Sequence, residues 1–279
     1  MSETATLVSD SLPAPLTPDE QLEGWLATYR RDGQPIAVDF RALAPFRSGE
    51  DRATHLLHTY PAKLLLNIPH FFLRCDALCP PSAKVIDPFC GSGTVLVEAA
   101  LAGFCADGAD SNPLARVLSR AKTTPISGED LNEILEAILN GIPDSADPPA
   151  GIINMEHWFL PGVSNQLARL RVAIFENDSE QTRSFFLACF SSCVRRSSLA
   201  DPRLSVPVRV NPERRSNYGA NGDAVIRRYE ALASLDVFAL FSSVARQNIS
   251  RMRDYRPRLS AGGPPQLFED ARTIGRPDG

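Results

Sequence analysis

Two hydrophobic rhythms divide this chain. Between residues 84 and 121, short apolar runs alternate with turns and helix-forming stretches. Lys84-Val85-Ile86 reads as a strand that runs into Asp-Pro-Phe-Cys-Gly-Ser-Gly-Thr at 87–94. Thr94 to Ala102 is rich in good helix formers. Phe104 to Ala109 reads as a second strand, broken by Gly108 and stopped at Asp110, and Asn112-Pro113 opens a helix through about Ala121. Strand, glycine loop, helix, strand, acid, helix is a βαβα unit and predicts a parallel sheet. From about 126 to 258 the spacing becomes helical. Leu131, Ile134, Leu135 and Ile138 fit one helix, Val163, Leu167, Leu170 and Ile174 a second, and Phe185 to Val194 a third. Residues 223–256 hold the longest periodic stretch, from Val225 through Phe238 and Phe241 to Met252, and predict one long helix.

The flanks are less regular. Residues 1–20, with Pro13, Pro15 and Pro18, read as a flexible leader. Residues 21–50 carry Trp25, Leu26, Tyr29, Ile36, Val38 and Phe40 without a clear period. Pro61 is placed to start a helix with Leu64, Leu65, Ile68, Phe71 and Phe72 along one face. An arginine- and proline-rich loop occupies 199–222, and Pro265 to Ile274 reads as a short strand ending at Asp270. The expected organisation is a leader and peripheral segment (1–50), an α/β part (51–125), a helical arginine-rich insertion (126–258) and a return to the sheet (259–279).

Composition narrows the class. With 43% hydrophobic and 22% charged residues, the chain is neither disordered nor fibrous. No apolar run reaches the roughly 18 residues that span a bilayer, and the N-terminus lacks the basic start and apolar core of a secretory signal. Six cysteines in that context read as reduced thiols in a cytoplasmic protein. The net charge of −4 hides a segregation: residues 1–182 carry −11, residues 183–258 carry +8, and every cation in the basic block is arginine. A basic block on an acidic chain suits a phosphate-backbone partner, with a solvated arginine-rich face as the bland alternative. The arginines so singled out are Arg195, Arg196, Arg203, Arg209, Arg214 and Arg215.

The glycine loop is the candidate chemistry. A strand that delivers Asp87, then Gly91 and Gly93 with a helix behind them, suits a nucleotide-like ligand, because glycines admit it to the backbone and helix N-terminal amides face it. There is no Gly-Lys-Ser/Thr, so the loop is not a P-loop. A dinucleotide fingerprint needs a glycine at position 96, which is leucine. A carboxylate at Asp87 would repel a pyrophosphate but suit an ammonium group, and Asp110 is placed to accept ribose hydroxyls. An ammonium acceptor plus a ribose acceptor, without a phosphate binder, points to S-adenosylmethionine.

The string Asp87-Pro88-Phe89-Cys90-Gly91-Ser92-Gly93-Thr94 resembles the S-adenosylmethionine motif of the amino-group DNA methyltransferases, which methylate cytosine N4 or adenine N6. His55-x-x-His58-x-Tyr60-Pro61-Ala62-Lys63 resembles the segment that, in one branch, packs beside the methionine end of the cofactor. Residues 185–208 are similar to that branch's central helical region, and Glu269-Asp270-Ala271-Arg272 resembles the acidic motif that meets the cofactor's adenine. The resemblance implies an incomplete Rossmann-like methyltransferase sheet with a large helical insertion. It implies a cofactor site at Tyr60, Lys63, Asp87, Phe89, Gly91, Gly93, Thr94, Asp110 and Asp270. The implied partner is double-stranded DNA, and no membrane is implied.

The family's chemistry depends on Asp, Asn or Ser followed by Pro-Pro and an aromatic residue, which clamps the target amine and stacks on a flipped base. Of three Pro-Pro pairs here, Cys79-Pro80-Pro81-Ser82 and Gly263-Pro264-Pro265-Gln266 fail at both flanks, and Asp147-Pro148-Pro149-Ala150 lacks the aromatic. The catalytic residues are therefore unknown, and the expectation is a cofactor-binding half completed by a second polypeptide. A non-catalytic subunit and a fragment of a tRNA guanine-N2 methyltransferase are the alternatives. Cys90 reads as a packing residue, and Cys75/Cys79 with Cys189/Cys193 as thiols rather than a zinc site; no metal is expected.

Overall fold

A computed structural model describes residues 16–43, 46, 52–61, 63–149, 152–204, 206–255 and 263–274. Residues 1–15, Ala62, Ala150 and residues 275–279 lie outside that set, and with them parts of the expected leader, of the Tyr60–Lys63 run and of the third Pro-Pro flank.

Three parallel strands carry the site: β1 (Lys84–Asp87), β2 (Cys105–Ala109) and β3 (Gln266–Phe268), in the order β1-β2-β3. Lys84 pairs with Cys105 and Asp107 with Gln266, so all three strands end on the same side. The helix α3 (Thr94–Ala102) joins β1 to β2, and α4 (Pro113–Thr123) follows β2, capped by the Asn112 side chain on the Leu114 amide at 3.0 Å. This is the βαβα unit expected from the pattern. Gly108 does not interrupt β2. Helix α3 packs against it so closely that a Cβ there would come within 2.9 Å of Leu96 Cδ1 and 3.0 Å of Cys90 Cβ. Gly108→Ala is therefore expected to cost about 1–3 kcal/mol by overpacking, read as a lower urea midpoint. An unchanged midpoint would show that Leu96 and Cys90 can move aside.

Between β2 and β3 the chain is helical: α5 (Gly128–Asn140), α6 (Met155–Trp158), α7 (Pro161–Phe175), α8 (Glu180–Ser197), α9 (Gly222–Ala231) and α10 (Val237–Asp254). Leu135, Leu170, Phe185, Phe186 and Phe241 from this group bury against Val97 of α3 and Leu118 of α4 in one continuous core. A second cluster, with Leu96, Phe104 and Ala106, fills the space between α3 and the sheet.

Three expectations are corrected. The 223–256 stretch is two helices, because Asp236 caps α10 by accepting from the Phe238 and Ala239 amides at 2.9 and 3.1 Å, after a short 3-10 turn. Pro61 starts no helix. Among the described residues, 52–61 and 63–66 run as turns and irregular chain, and the helix that follows is α2 (Asn67–Phe72), with Leu64 and Phe72 exposed. The leader ends earlier than residue 20, because α1 (Pro18–Asp32) begins at a capping box in which Thr17 and Glu20 bond each other's backbone. Helix α1 buries none of its residues, so its period is weak; Trp25 tilts over Phe71 at 5.1 Å, and Asp19 accepts from the Asp76 and Ala77 amides at 3.0 Å each.

Candidate functional site

The carboxyl ends of the three strands bring Asp87, the 88–93 loop, Asp110 and Asp270 to one side of the sheet, which is where open α/β sheets hold ligands. The loop folds back because Gly91 (φ 51°) and Gly93 (φ 79°) take left-handed conformations that cost other residues energy. At Gly93 a Cβ would also meet the Ser119 Cα at 3.1 Å, so glycine is what lets α3 start against α4. Ser119 Oγ donates to the Gly91 carbonyl at 3.0 Å.

Asp110 holds this loop from the side. One of its oxygens accepts from the Gly91 amide at 2.9 Å and the other from the Asn112 amide at 2.8 Å. A carboxylate has about four acceptor positions, so two remain for hydroxyl donors. Asp87 lies opposite, taking only the Phe89 amide at 3.2 Å. Burial, and then the neighbouring Asp110 charge, push its pKa up. Among the described residues neither carboxylate has a cationic partner. A ligand with a positive centre would therefore relieve both. Phe89 stands 84% exposed at the loop tip, and the buried Ser92 Oγ has no partner among the described residues. Thr94 is buried at the first position of α3.

The other expected cofactor residues sit around this loop in different states. Tyr60 lies beside Gly91, 3.7 Å from where a Cβ would stand, and its hydroxyl accepts from Asn112 Nδ2 at 3.2 Å. Lys63 is turned inward and donates to the His55 carbonyl at 2.8 Å. Asp270 lies just beyond β3, and its carboxylate is engaged by Arg272 through the guanidinium at 2.9 Å and the amide at 2.9 Å. Arg116 ties the ends of β2 and β3 together, donating to the Asp110 carbonyl at 2.6 Å and standing 3.8 Å from Glu269.

Beneath the loop lies a group that the sequence did not single out. Glu98, fully buried on α3, accepts from His55 Nε2 at 2.8 Å, His70 Nδ1 at 3.0 Å and Arg52 at 3.1 and 3.2 Å. Burial alone would raise its pKa, but these bonds overcome that and hold it well below the usual carboxylate range. Lys122 is equally buried on α4, and its Nζ has no hydrogen-bond partner among the described residues. His58 points elsewhere, with Nε2 3.1 Å from Ser191 Oγ. Neither set could be seen from spacing, because each joins residues 28 to 133 positions apart.

The basic block divides. Arg203 is spent on Asp201, 2.6 Å away, and lies over the Tyr218 ring, while Arg215 pairs with Asp223. Arg195, Arg196, Arg209 and Arg214 are exposed and have no carboxylate partner among the described residues. Asp147-Pro148-Pro149 lies in irregular chain after α5, with no strand leading into it. Cys189 and Cys193 pack into the main core on α8, where burial raises each thiol to about 12. Among the described residues, no helix is long and apolar enough to cross a membrane.

Comparison with known proteins finds methyltransferases. Residues 70–131 match the RMKL-like methyltransferase domain. Over 156 residues the chain is 32% identical to the Type II methyltransferase M.MvaI of Kocuria varians, an alignment that covers 52% of this chain and 34% of that protein. The chain therefore spans about a third of the length of the curated relative it matches. No solved structure matches it. Both likenesses are to methyltransferases, the class the glycine loop suggested, and the three-stranded parallel sheet with its helices matches the expected partial Rossmann-like arrangement.

Proposed function

We propose that this chain binds S-adenosylmethionine as the cofactor-holding part of a DNA methyltransferase acting on an exocyclic base amine, cytosine N4 ahead of adenine N6. The observation that carries the reading is the couple of carboxylates, Asp87 and Asp110, without a cationic partner among the described residues, across a left-handed glycine loop at the strand ends. Asp87 would take the ammonium group, and the open acceptor positions of Asp110 the ribose hydroxyls. Phe89 and Tyr60 would flank the ligand, and Asp270 would sit toward the adenine. Bound there, the donor supplies an electrophilic methyl group on a sulfonium.

What this chain contributes to catalysis is then positioning, which can supply a large part of a barrier when two reactants are held in line. The choice of an amine in DNA rests on the family resemblance and on the relative's description as a Type II methyltransferase. Arg195, Arg196, Arg209 and Arg214 would track phosphates of the duplex. The exposed Asp147 is followed by Pro-Pro and then Ala150 rather than an aromatic residue that could stack on a base, so the amine clamp would come from a further segment or a second polypeptide. The setting is the cytoplasm.

Calorimetric titration tests the reading. The chain is expected to bind S-adenosylmethionine with a micromolar Kd. Asp110→Asn keeps the shape but offers one acceptor oxygen where two backbone amides now bond, so Kd should rise about 10- to 100-fold. No binding by the parent chain would sink the proposal. Unchanged affinity in the variant would remove Asp110 from the ribose.

A further inference from the structure

Two cavities lie side by side at the end of α8. The larger, about 450 Å³, is walled by Trp158, Phe159, Val194, Leu204 and Pro207, with Arg195 on one side. That volume falls within the roughly 300–1,000 Å³ of pockets that hold small ligands. The smaller, about 270 Å³, is lined by Arg195, Arg196 and Arg228 with His58 and Thr59. Arg195 and Pro202 belong to both, so an apolar aromatic chamber opens beside a cationic one.

The walls are held in place. Arg228 donates to the carbonyls of Arg196, Ser198 and Ala200 at 2.9, 3.0 and 3.2 Å, and so fixes the chain that leaves α8. The Leu199 amide donates to the Trp158 carbonyl at 2.8 Å, and the Val210 amide to the Leu199 carbonyl at 2.8 Å. His157 braces the indole edge-on at 4.7 Å.

The polar groups of the larger cavity are unequal. Asp201 is closed off by Arg203, which bonds both its oxygens. Ser198 Oγ donates to the Arg195 carbonyl at 2.9 Å, and Ser191 Oγ faces His58. Arg195 itself makes one long bond, to the Leu204 carbonyl at 3.4 Å. Among the described residues, Arg195 is the charged donor left at this cavity. An aromatic platform with a guanidinium on its rim suits a base with an acceptor edge, and guanine O6 and N7 fit a guanidinium in a bidentate way. Cationic groups next door suit the phosphate of the same nucleotide.

Resting on the DNA reading above, we infer that this pair of cavities holds an extrahelical guanine nucleotide of the substrate duplex, its ring on Trp158, its acceptor edge on Arg195 and its phosphate against Arg196 and Arg228. If the methylated base is cytosine, guanine is the base left unpaired when that cytosine leaves the helix.

The experiment is fluorescence anisotropy with labelled duplexes that are fully paired, or that carry an unpaired guanine, an unpaired adenine or an abasic site at one position. The unpaired-guanine duplex is expected to bind about tenfold tighter than the abasic one, in line with a single stacked base, and tighter than the adenine one. Trp158→Ala should erase the advantage over the abasic duplex, and Trp158→Phe should keep most of it. Arg195→Gln should erase the preference for guanine over adenine. Failure to bind any duplex would overturn the DNA reading and this inference together. Binding of the paired duplex with guanine no better than an abasic site would overturn this inference alone. So would a preference that survives Trp158→Ala, or adenine binding better than guanine.

Discussion

Glu98→Ala is expected to lower the unfolding free energy by about 3–5 kcal/mol, the usual consequence of deleting one member of a buried ionic cluster. The side chain gathers Arg52 and His55 from the turns before α2, His70 from α2, and a second guanidinium, Arg74, 3.8 Å away. Without it, buried imidazole and guanidinium donors lose their acceptor, and the 52–66 segment loses its anchor to α3. Because domains are marginally stable, a change of that size takes a large part of the total. Glu98→Gln should cost less and should also change the pH response. The folded pKa of Glu98 lies below the ordinary glutamate value of 4.5. Its contribution is therefore fully present above about pH 4.5 and is lost as the pH falls toward the lower folded value. Urea midpoints measured from neutral pH into the acid range should fall more steeply for the parent chain than for Glu98→Gln. Parallel curves would show that the carboxylate charge contributes nothing.

Lys122→Met is expected to act in the opposite direction, raising stability at pH 7 by about 2–5 kcal/mol. Burial, and then the charge of Lys63, bring Lys122 down from 10.5 to about 7. His55 and His58 also feel its charge, and each is pushed down chiefly by burial. An unfolded lysine keeps its proton until about pH 10.5, while the folded one gives it up near 7. Across that interval the unfolded chain binds more protons, so the stability of the parent chain should rise with pH between 7 and 10.5. At 1.36 kcal/mol per pKa unit, the penalty below pH 7 is at most about 5 kcal/mol. Methionine fills a similar length without charge or an unmet donor. Urea midpoints at pH 7 and pH 9 decide the matter. An equal rise in parent and Lys122→Met would mean that another group titrates.

How legible these features were depended on how local they are. The β1-loop-α3-β2-α4 unit could be read because its signals lie within forty residues: two glycines, two strand-ending acids and an Asn-Pro helix start. The helices of 126–197 were legible for the same reason, since each buries one face at regular spacing. Asp236 was present in the periodic stretch, but a capping side chain outweighed the period there. Glu98 and Lys122 look like ordinary helix-surface charges in the sequence. Tertiary packing buries them, with His55 and His70 brought onto Glu98 and Thr54 onto the Lys122 carbonyl. Arg203 and Arg215 read as free cations until folding sets Asp201 and Asp223 beside them. At the candidate site, the glycines and both carboxylates could be read, but the engagement of Asp270 by Arg272 could not.

The pairing of Asp107 in β2 with Gln266 in β3 also fixes an order of events during synthesis. At roughly 5–20 residues per second, a ribosome delivers β3 on the order of ten seconds or more after β2. Throughout that interval the outer edge of β2 has no neighbour, while α5, α7, α8 and α10 can settle through contacts that are nearer in sequence. The nascent chain thus spends its longest exposed phase with an open strand edge, the template on which unwanted intermolecular pairing starts. The middle strand of the sheet is complete last, and it carries the aspartate on which the proposed cofactor site depends.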